Sequence, residues 1–149
     1  MDKHDSIELL RETNAGIQMG VSSIDDILDD VRNVELKNAM LTAKAEHDRL
    51  GGEAHRLLHT YGCGTKEPHP VAKVMSSAKT AVKMAADGFA GHTSDRTAAE
   101  LLTDGCSMGI KSLNHYLNQY RNADSSIKSL TKQVIRSEEQ LLRDIRGFL

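Results

Sequence analysis

Three side chains near the middle of the chain's helical segments have the chemistry of metal ligands: Glu46, His47 and Glu138. Carboxylate and imidazole groups bind iron, manganese and zinc in proteins. His47 and Glu138 fall where the pattern otherwise places apolar residues, and a buried carboxylate without a partner is costly. Several interpretations stay open. Glu138 pairs with Arg49 or His47, reaches water at a rim, or holds one metal ion with His47; alternatively, Glu139 faces inward instead.

A second group of potential ligands lies further along the same segment. His55 and His59 are four residues apart, which places both imidazoles on one face of a helix and suits zinc or nickel. Glu53 is adjacent, and Cys63 and His69 follow in the next connection. No CxxC or HExxH motif accompanies them. We therefore expect exposed histidines on a helix flank, with a metal site as the alternative.

The two cysteines, Cys63 and Cys106, are too few for a disulfide framework, which favours a reducing compartment. We expect Cys106 to be a small core residue, because no histidine at the same level would generate its thiolate. The sequence shows no Ser-His-Asp pattern, and residues 62–66 lack the spacing of a phosphate-binding loop. These observations favour a protein that is not an enzyme.

Composition argues against two classes of partner. The chain has 149 residues and a formal net charge of -2, with both signs mixed throughout, so it offers no basic surface for nucleic acid. Its longest apolar runs are a few residues, whereas a membrane span needs about 20. The first five residues include two acids and no apolar stretch follows them, which is unlike a signal peptide. We expect a cytoplasmic protein that binds neither nucleic acid nor membranes.

Apolar residues at alternating intervals of three and four predict four long helices. A shorter helix at 71–87 is predicted in the connection between the second and third. The first helix is predicted from Asp5 or Ser6 to Val31, with Ser6 as its N-cap, and the second from Val34 to Tyr61. The third is capped by Thr93 or Ser94 and ends near Asn122. The fourth is capped by Asp124 or Ser125 and runs from Ser126 to Leu149.

The lengths of the connections predict how these helices are arranged. Tight reversals join the first helix to the second and the third to the fourth, so each pair should be antiparallel. The long connection between the second and third allows a crossover that makes those two helices parallel. We therefore predict one all-α domain, 1–149, with the topology of a ferritin-like four-helix bundle. The first and third helices become antiparallel neighbours, and Gly51-Gly52 should bend or loosen the second.

Two pairs of glycines with helical spacing lie in the middle of the first and third helices: Gly16 and Gly20, and Gly105 and Gly109. Each glycine in a helix interior costs about 1 kcal/mol relative to alanine, so these positions need a structural reason. We expect the two pairs to face each other where the backbones nearly touch. The alternative is that each pair makes room for a partner chain.

Residues 98–110, with the sequence AAELLTDGCSMGI, resemble a segment of an uncharacterised family of small bacterial proteins found mainly in Firmicutes. That family is ferritin-like and related to rubrerythrin. The likeness extends to the Lys- and Met-bearing connection, to His92 and to the helix that carries Glu138 and Glu139. The resemblance implies a ferritin-like fold and a bacterial, cytosolic origin, but it implies no activity.

A ferritin-like fold raises the question of a di-iron centre. Such a centre needs one carboxylate from each of two helices and a Glu-x-x-His pair from each of the other two. The sequence contains no Glu-x-x-His, since Glu46 is followed three residues later by Arg49 and Glu138 by Leu141. We therefore expect no intact di-iron site and no cofactor.

The predicted function is that of a non-catalytic structural or interaction protein, which forms a homodimer or binds an unidentified protein partner. The alternative is a metal-binding or redox protein of the rubrerythrin and ferritin group. In that case iron, manganese or zinc would occupy an altered, degenerate ligand set around Glu46, His47 and Glu138.

Overall fold

The computed structural model describes residues 1–63 and 94–149, and these residues form helices without any strand. The four long helices are α1 (Lys3–Leu28), α2 (Val34–Thr60), α3 (Asp95–Gln119) and α4 (Ser125–Ile145). A short 3-10 helix (Arg146–Phe148) follows α4. The predicted all-α four-helix bundle is confirmed, whereas the helix predicted at 71–87 lies outside the described residues.

The order of the helices around the bundle follows from their contacts. α1 and α4 each pack against both α2 and α3, whereas α2 and α3 make no comparable contact in the described part of the chain. The backbone amides of Arg32 and Asn33, after α1, donate to the Asp95 carboxylate at the start of α3. At the opposite end, the Asp2 amide donates to the Asn122 carbonyl at 2.7 Å. α1 and α3 are therefore antiparallel neighbours, and the chain between α2 and α3 joins diagonal helices, as the connection lengths predict.

The N-terminus of α1 differs from its prediction. Asp2 caps the helix, because its carboxylate accepts hydrogen bonds from the amides of His4 at 2.8 Å and Asp5 at 3.2 Å. Ser6, the predicted cap, is buried inside the helix. Its hydroxyl donates to the Asp2 carbonyl and accepts from the Asp124 amide, both at 2.8 Å. The serine has a capping residue's chemistry but uses it to connect the starts of α1 and α4.

The remaining ends agree with the sequence to within a few residues. Ser94 and Asp124 cap α3 and α4, as predicted. α1 and α3 each end three residues early, at Leu28 and Gln119, and α4 gives way to the 3-10 helix after Ile145. α2 is one unbroken helix through Gly51 and Gly52, so the pair does not interrupt it, and the bend or loosening expected there stays a prediction.

The core is divided into two apolar halves. The half near the start of α1 contains Leu9, Leu10, Ile17, Leu50, Leu58, Ile127 and Leu130. The half near the end of α1 contains Ile24, Ile27, Leu36, Met40, Leu102, Leu141 and Ile145. Between the two halves, at mid-height, lie the buried polar side chains of His47 and Glu138.

None of the described helices combines the length and the apolarity that a membrane span requires.

Candidate ligand cavity at the centre of the bundle

His47 from α2 and Glu138 from α4 meet at the centre of the bundle. Their exposed fractions are only 1% and 5%. The distance from His47 Nε2 to Glu138 Oε1 is 3.8 Å, which is too long for a direct hydrogen bond. His47 Nε2 and Glu138 Oε2 have no hydrogen-bond partner among the described residues. The structure thus brings together two of the predicted site residues and leaves polar atoms of both unsatisfied.

The contacts of the other ring nitrogen identify the tautomer of the neutral imidazole. His47 Nδ1 lies 2.9 Å from the Ala43 carbonyl oxygen and 3.3 Å from Ser137 Oγ. A carbonyl oxygen only accepts, so Nδ1 carries the hydrogen in this contact. In the neutral ring, Nε2 then presents a lone pair towards Glu138. Three acceptor atoms therefore converge at this point: His47 Nε2 and the two carboxylate oxygens of Glu138.

Two of the glycines make room for this pair. A Cβ atom at Gly20 would lie 2.8 Å from His47 Cδ2, and one at Gly109 would lie 2.6 Å from Glu138 Oε2. The close backbone contact predicted between α1 and α3 is therefore wrong. The missing Cβ atoms instead make room for the side chains of His47 from α2 and Glu138 from α4.

The other two glycines are not crowded by neighbouring side chains. A Cβ at Gly16 would meet only the Leu113 side chain, at 3.6 Å, and one at Gly105 would meet nothing within 4 Å. All four glycines line one cavity of about 210 Å³ between α1 and α3. His47 and Glu138 belong to its lining as well, so the mid-height level holds a cavity rather than a helix contact.

The described wall of the cavity is mainly apolar, and its charged side chains are acidic. Its apolar lining includes Met19, Ile24, Leu101, Leu102, Met108, Leu113 and Leu141. Among the described lining residues the only charged types are Glu12 and Glu138, with no Lys or Arg. Burial and the neighbouring Glu12 carboxylate raise the pKa of Tyr116, which also lines the cavity.

Burial dominates the protonation of the groups at the cavity floor. It raises the pKa of Glu138, and the adjacent imidazole of His47 opposes this shift only in part. Burial and the Glu138 charge together raise the pKa of the Cys106 thiol to about 12. Cys106 is therefore a protonated thiol in the cavity wall, in keeping with a core residue rather than a nucleophile.

Glu46 lies away from this cavity. Its carboxylate binds the Arg49 guanidinium at 2.6 and 3.1 Å on the exposed side of α2, and this contact lowers its pKa. Arg49 also donates to Gln133 on α4. The interpretation in which Glu138 pairs with Arg49 is therefore wrong, and Glu46 does not share a site with Glu138.

The second group of predicted ligands is not assembled into a site within residues 1–63 and 94–149. His55 and His59 are both exposed on α2. The three potential ligands that do converge in this part of the chain are Asp2, His4 and Asp5. They are surface groups at the start of α1, where Asp2 already serves as the helix cap.

The residues at mid-height do not fit a di-iron centre. α2 and α4 contribute His47 and Glu138, but where α1 and α3 would each have to present a carboxylate they present Gly20 and Gly109. One imidazole and one carboxylate are too few to hold two metal ions.

Sequence reasoning missed part of the cavity wall. Glu12 and Tyr116 were not among the predicted site residues, although a signal was available. Glu12 precedes Gly16 and Gly20 at intervals of four, and therefore lies on the same stripe of α1. A carboxylate on the same helix face as two glycines indicates that this face does not pack as a continuous apolar surface.

Comparison with known proteins supports the fold. No protein-family profile matches the chain, and no curated protein matches it. A solved structure described as the crystal structure of a DUF305 fragment from Deinococcus radiodurans covers 96% of this chain and 93% of its own, with a TM-score of 0.73. The two chains are 11% identical, so the likeness shows a shared fold alone. The relation to rubrerythrin expected from residues 98–110 stays a prediction.

Proposed function

We propose that this chain is a non-catalytic binding protein, in which a small-molecule cavity replaces the di-metal centre of a ferritin-like bundle. The observation that carries the proposal is the pair of buried, unpartnered atoms at the cavity floor, His47 Nε2 and Glu138 Oε2. A buried polar atom without a hydrogen bond costs about 1–3 kcal/mol. A ligand that hydrogen-bonds to both atoms removes that cost, so the cavity favours the binding of such a ligand.

The thiol in the described wall of the cavity is not an activated nucleophile. This thiol, on Cys106, is held in the protonated form by burial and by the Glu138 charge. A nucleophile requires a lowered pKa or an adjacent base. This supports binding without chemistry as the role of the site.

Titration with benzyl alcohol, followed by amide chemical shifts, tests the proposal. We expect shifts to concentrate around residues 16–20 and 105–109. Cys106→Leu should weaken binding because it fills the cavity, whereas Ser107→Leu, at an exposed neighbouring position outside the lining, should not. Absence of binding to the unmodified protein, or equal binding by both variants, would contradict the proposal.

A mononuclear metal site is the second candidate. It is favoured by the hydrogen bond from His47 Nδ1 to the Ala43 carbonyl, because histidine ligands of metals are commonly oriented through their other ring nitrogen. Metal analysis of the purified protein and of Glu138→Ala tests it, with Glu46→Ala as a surface control. Stoichiometric iron, manganese or zinc that is lost only in Glu138→Ala would favour the metal site.

Light scattering on the same samples tests the expected homodimer.

A further inference from the structure

We propose that the cavity recognises a small primary amine with an apolar body, whose ammonium group hydrogen-bonds to His47 Nε2 and to the Glu138 carboxylate. This inference rests on the proposed function, since it names the class of molecule that the cavity takes. Three properties of the site lead to it: the sign of its charge, its shortage of donors and its shape.

The sign of the charge favours a cation. The described lining contains two carboxylates, Glu12 and Glu138, and no Lys or Arg. A bound anion would lie close to Glu138 without a compensating Lys or Arg from the described lining, and like charges in a buried site are costly. An ammonium group would instead form a charge pair with Glu138, so that neither charge is buried alone.

The hydrogen-bonding pattern favours a group with several donors. In the neutral imidazole, the hydrogen bond from Nδ1 to Ala43 leaves His47 Nε2 as an acceptor, and the Glu138 carboxylate adds two more acceptor atoms when it is ionised. The 3.8 Å separation between Nε2 and Oε1 leaves them unable to satisfy each other. An ammonium group supplies three N–H donors and no acceptor. An alcohol supplies one donor, and therefore satisfies fewer of these atoms.

The shape of the cavity favours an organic molecule over a metal ion. Its volume is about 210 Å³, and an apolar protein cavity of about 150 Å³ is enough for benzene. The apolar walls on α1 and α3 therefore suit a ring or a short chain. A zinc site takes three or four protein ligands, and the described residues bring no third ligand atom to His47 and Glu138. The charge and the walls together indicate an amine.

Four compounds of similar shape test the proposal in the unmodified protein: benzylamine, benzyl alcohol, ethylbenzene and benzoate. Calorimetric titration near neutral pH should show benzylamine binding at least about tenfold more tightly than benzyl alcohol, because its hydrogen bonds are charge-assisted. Benzoate should bind most weakly. If benzylamine binds no more tightly than benzyl alcohol, the ammonium proposal is overturned while the cavity proposal stands. If none of the four binds, both are overturned.

Two variants of α4 test whether Glu138 causes the preference for benzylamine over benzyl alcohol. Glu138→Gln keeps the shape of the side chain and removes its charge, so the ratio of the two affinities should fall to within about twofold. Glu139→Gln, on the same helix but outside the lining, should keep the ratio. If Glu138→Gln still prefers benzylamine, the proposal is overturned. It is also overturned if Mn²⁺ displaces benzylamine and broadens the nuclear magnetic resonance signals of the His47 ring. Circular dichroism checks that the variants fold, and the four-compound series decides the proposal even if one does not.

Discussion

Among the residues that the structure describes, two pairs of buried polar side chains can be compared: Thr13 with Thr131, which is satisfied, and His47 with Glu138, which is not. Thr13 on α1 and Thr131 on α4 are fully buried, and their hydroxyl oxygens are 2.7 Å apart. Thr131 donates to the Ile127 carbonyl at 2.9 Å, so Thr13 must donate to Thr131. His47 and Glu138 are buried to a similar degree, but the distance between their nearest polar atoms is 3.8 Å.

The surroundings of the two pairs explain the difference. The threonine pair joins α1 directly to α4 across the bundle. The His47–Glu138 pair lies against Gly20 and Gly109, whose missing side chains create space beside it. Buried polar atoms in folded proteins are normally hydrogen-bonded, either to other protein groups or to ordered water. Unsatisfied atoms beside a cavity indicate a pair whose partner comes from outside the chain.

The largest effect should come from crowding the unsatisfied pair. Gly109→Leu would place a Cβ atom 2.6 Å from Glu138 Oε2 and add three more carbon atoms beyond it. We expect the free energy of unfolding to fall by about 3 kcal/mol, because overpacked side chains must leave their preferred rotamers. Urea denaturation measures the loss. Gly105→Leu is the control, since its Cβ would meet nothing within 4 Å. Equal stability of the two variants would show that Glu138 does not occupy this space.

The satisfied pair should be sensitive to losing one member. Thr131→Val leaves the buried Thr13 hydroxyl without its acceptor, and we expect a loss of about 1–2 kcal/mol. The double variant Thr13→Val/Thr131→Val removes both hydroxyl groups and should lose less than the single one. Chemical denaturation of both variants measures the difference. A double variant less stable than Thr131→Val would mean that the hydroxyl groups stabilise the core in some way other than through each other.

Removing the negative charge of Glu138 should stabilise the protein, whereas the changes described above should destabilise it. Burial raises the pKa of Glu138 in the folded protein above its ordinary value of 4.5. The folded state then holds its proton more tightly than the unfolded state. The stability that this contributes is complete below pH 4.5 and is lost as the pH rises through the folded-state pKa. His47 and Cys106 are the titratable groups beside it.

Glu138→Gln should therefore be more stable than the natural chain at pH 7.5, by about 1 kcal/mol, because no buried carboxylate has to ionise. The difference should shrink as the pH is lowered towards 4. Thermal melts of both proteins at several pH values give this difference. Glu139→Gln controls for removing a negative charge from the same helix. A difference between the natural chain and Glu138→Gln that stays constant with pH would contradict the raised pKa.

Periodicity and connection lengths were sufficient to predict the bundle. The intervals of three and four identify the helices, and one long connection between two short ones leaves few arrangements. Caps were less predictable. Ser6 and Asp2 both have side chains that can cap α1, and the choice depends on Asp124, which the fold brings from more than a hundred residues away. A local pattern cannot contain that contact.

The candidate site was predictable only in part, because it too depends on contacts between helices that are distant in sequence. The seam positions of His47 and Glu138 place both side chains inside the bundle, and the structure brings them together. The glycines were identified as unusual, but their spacing alone does not distinguish a backbone contact from a space for side chains. That distinction depends on the length and direction of side chains from α2 and α4, which do not belong to either glycine helix. The cavity is therefore a property of four helices and is not visible in any one of them.

The smallest effect should come from the glycine that crowds nothing. Gly105 is exposed and a Cβ there would meet no atom within 4 Å, so Gly105→Ala should raise the free energy of unfolding by about 0.5–1 kcal/mol through helix propensity alone. Gly52→Ala on α2, equally uncrowded but outside the cavity lining, is the matched control and should gain a similar amount. The two variants should differ in binding, because Gly105 lines the cavity and Gly52 does not. A stability gain in both variants, with weaker benzylamine binding in Gly105→Ala alone, would show that Gly105 keeps space for a ligand. If binding weakens in neither variant, then Gly105 is not needed for ligand binding, and a role in making space remains for Gly20 and Gly109.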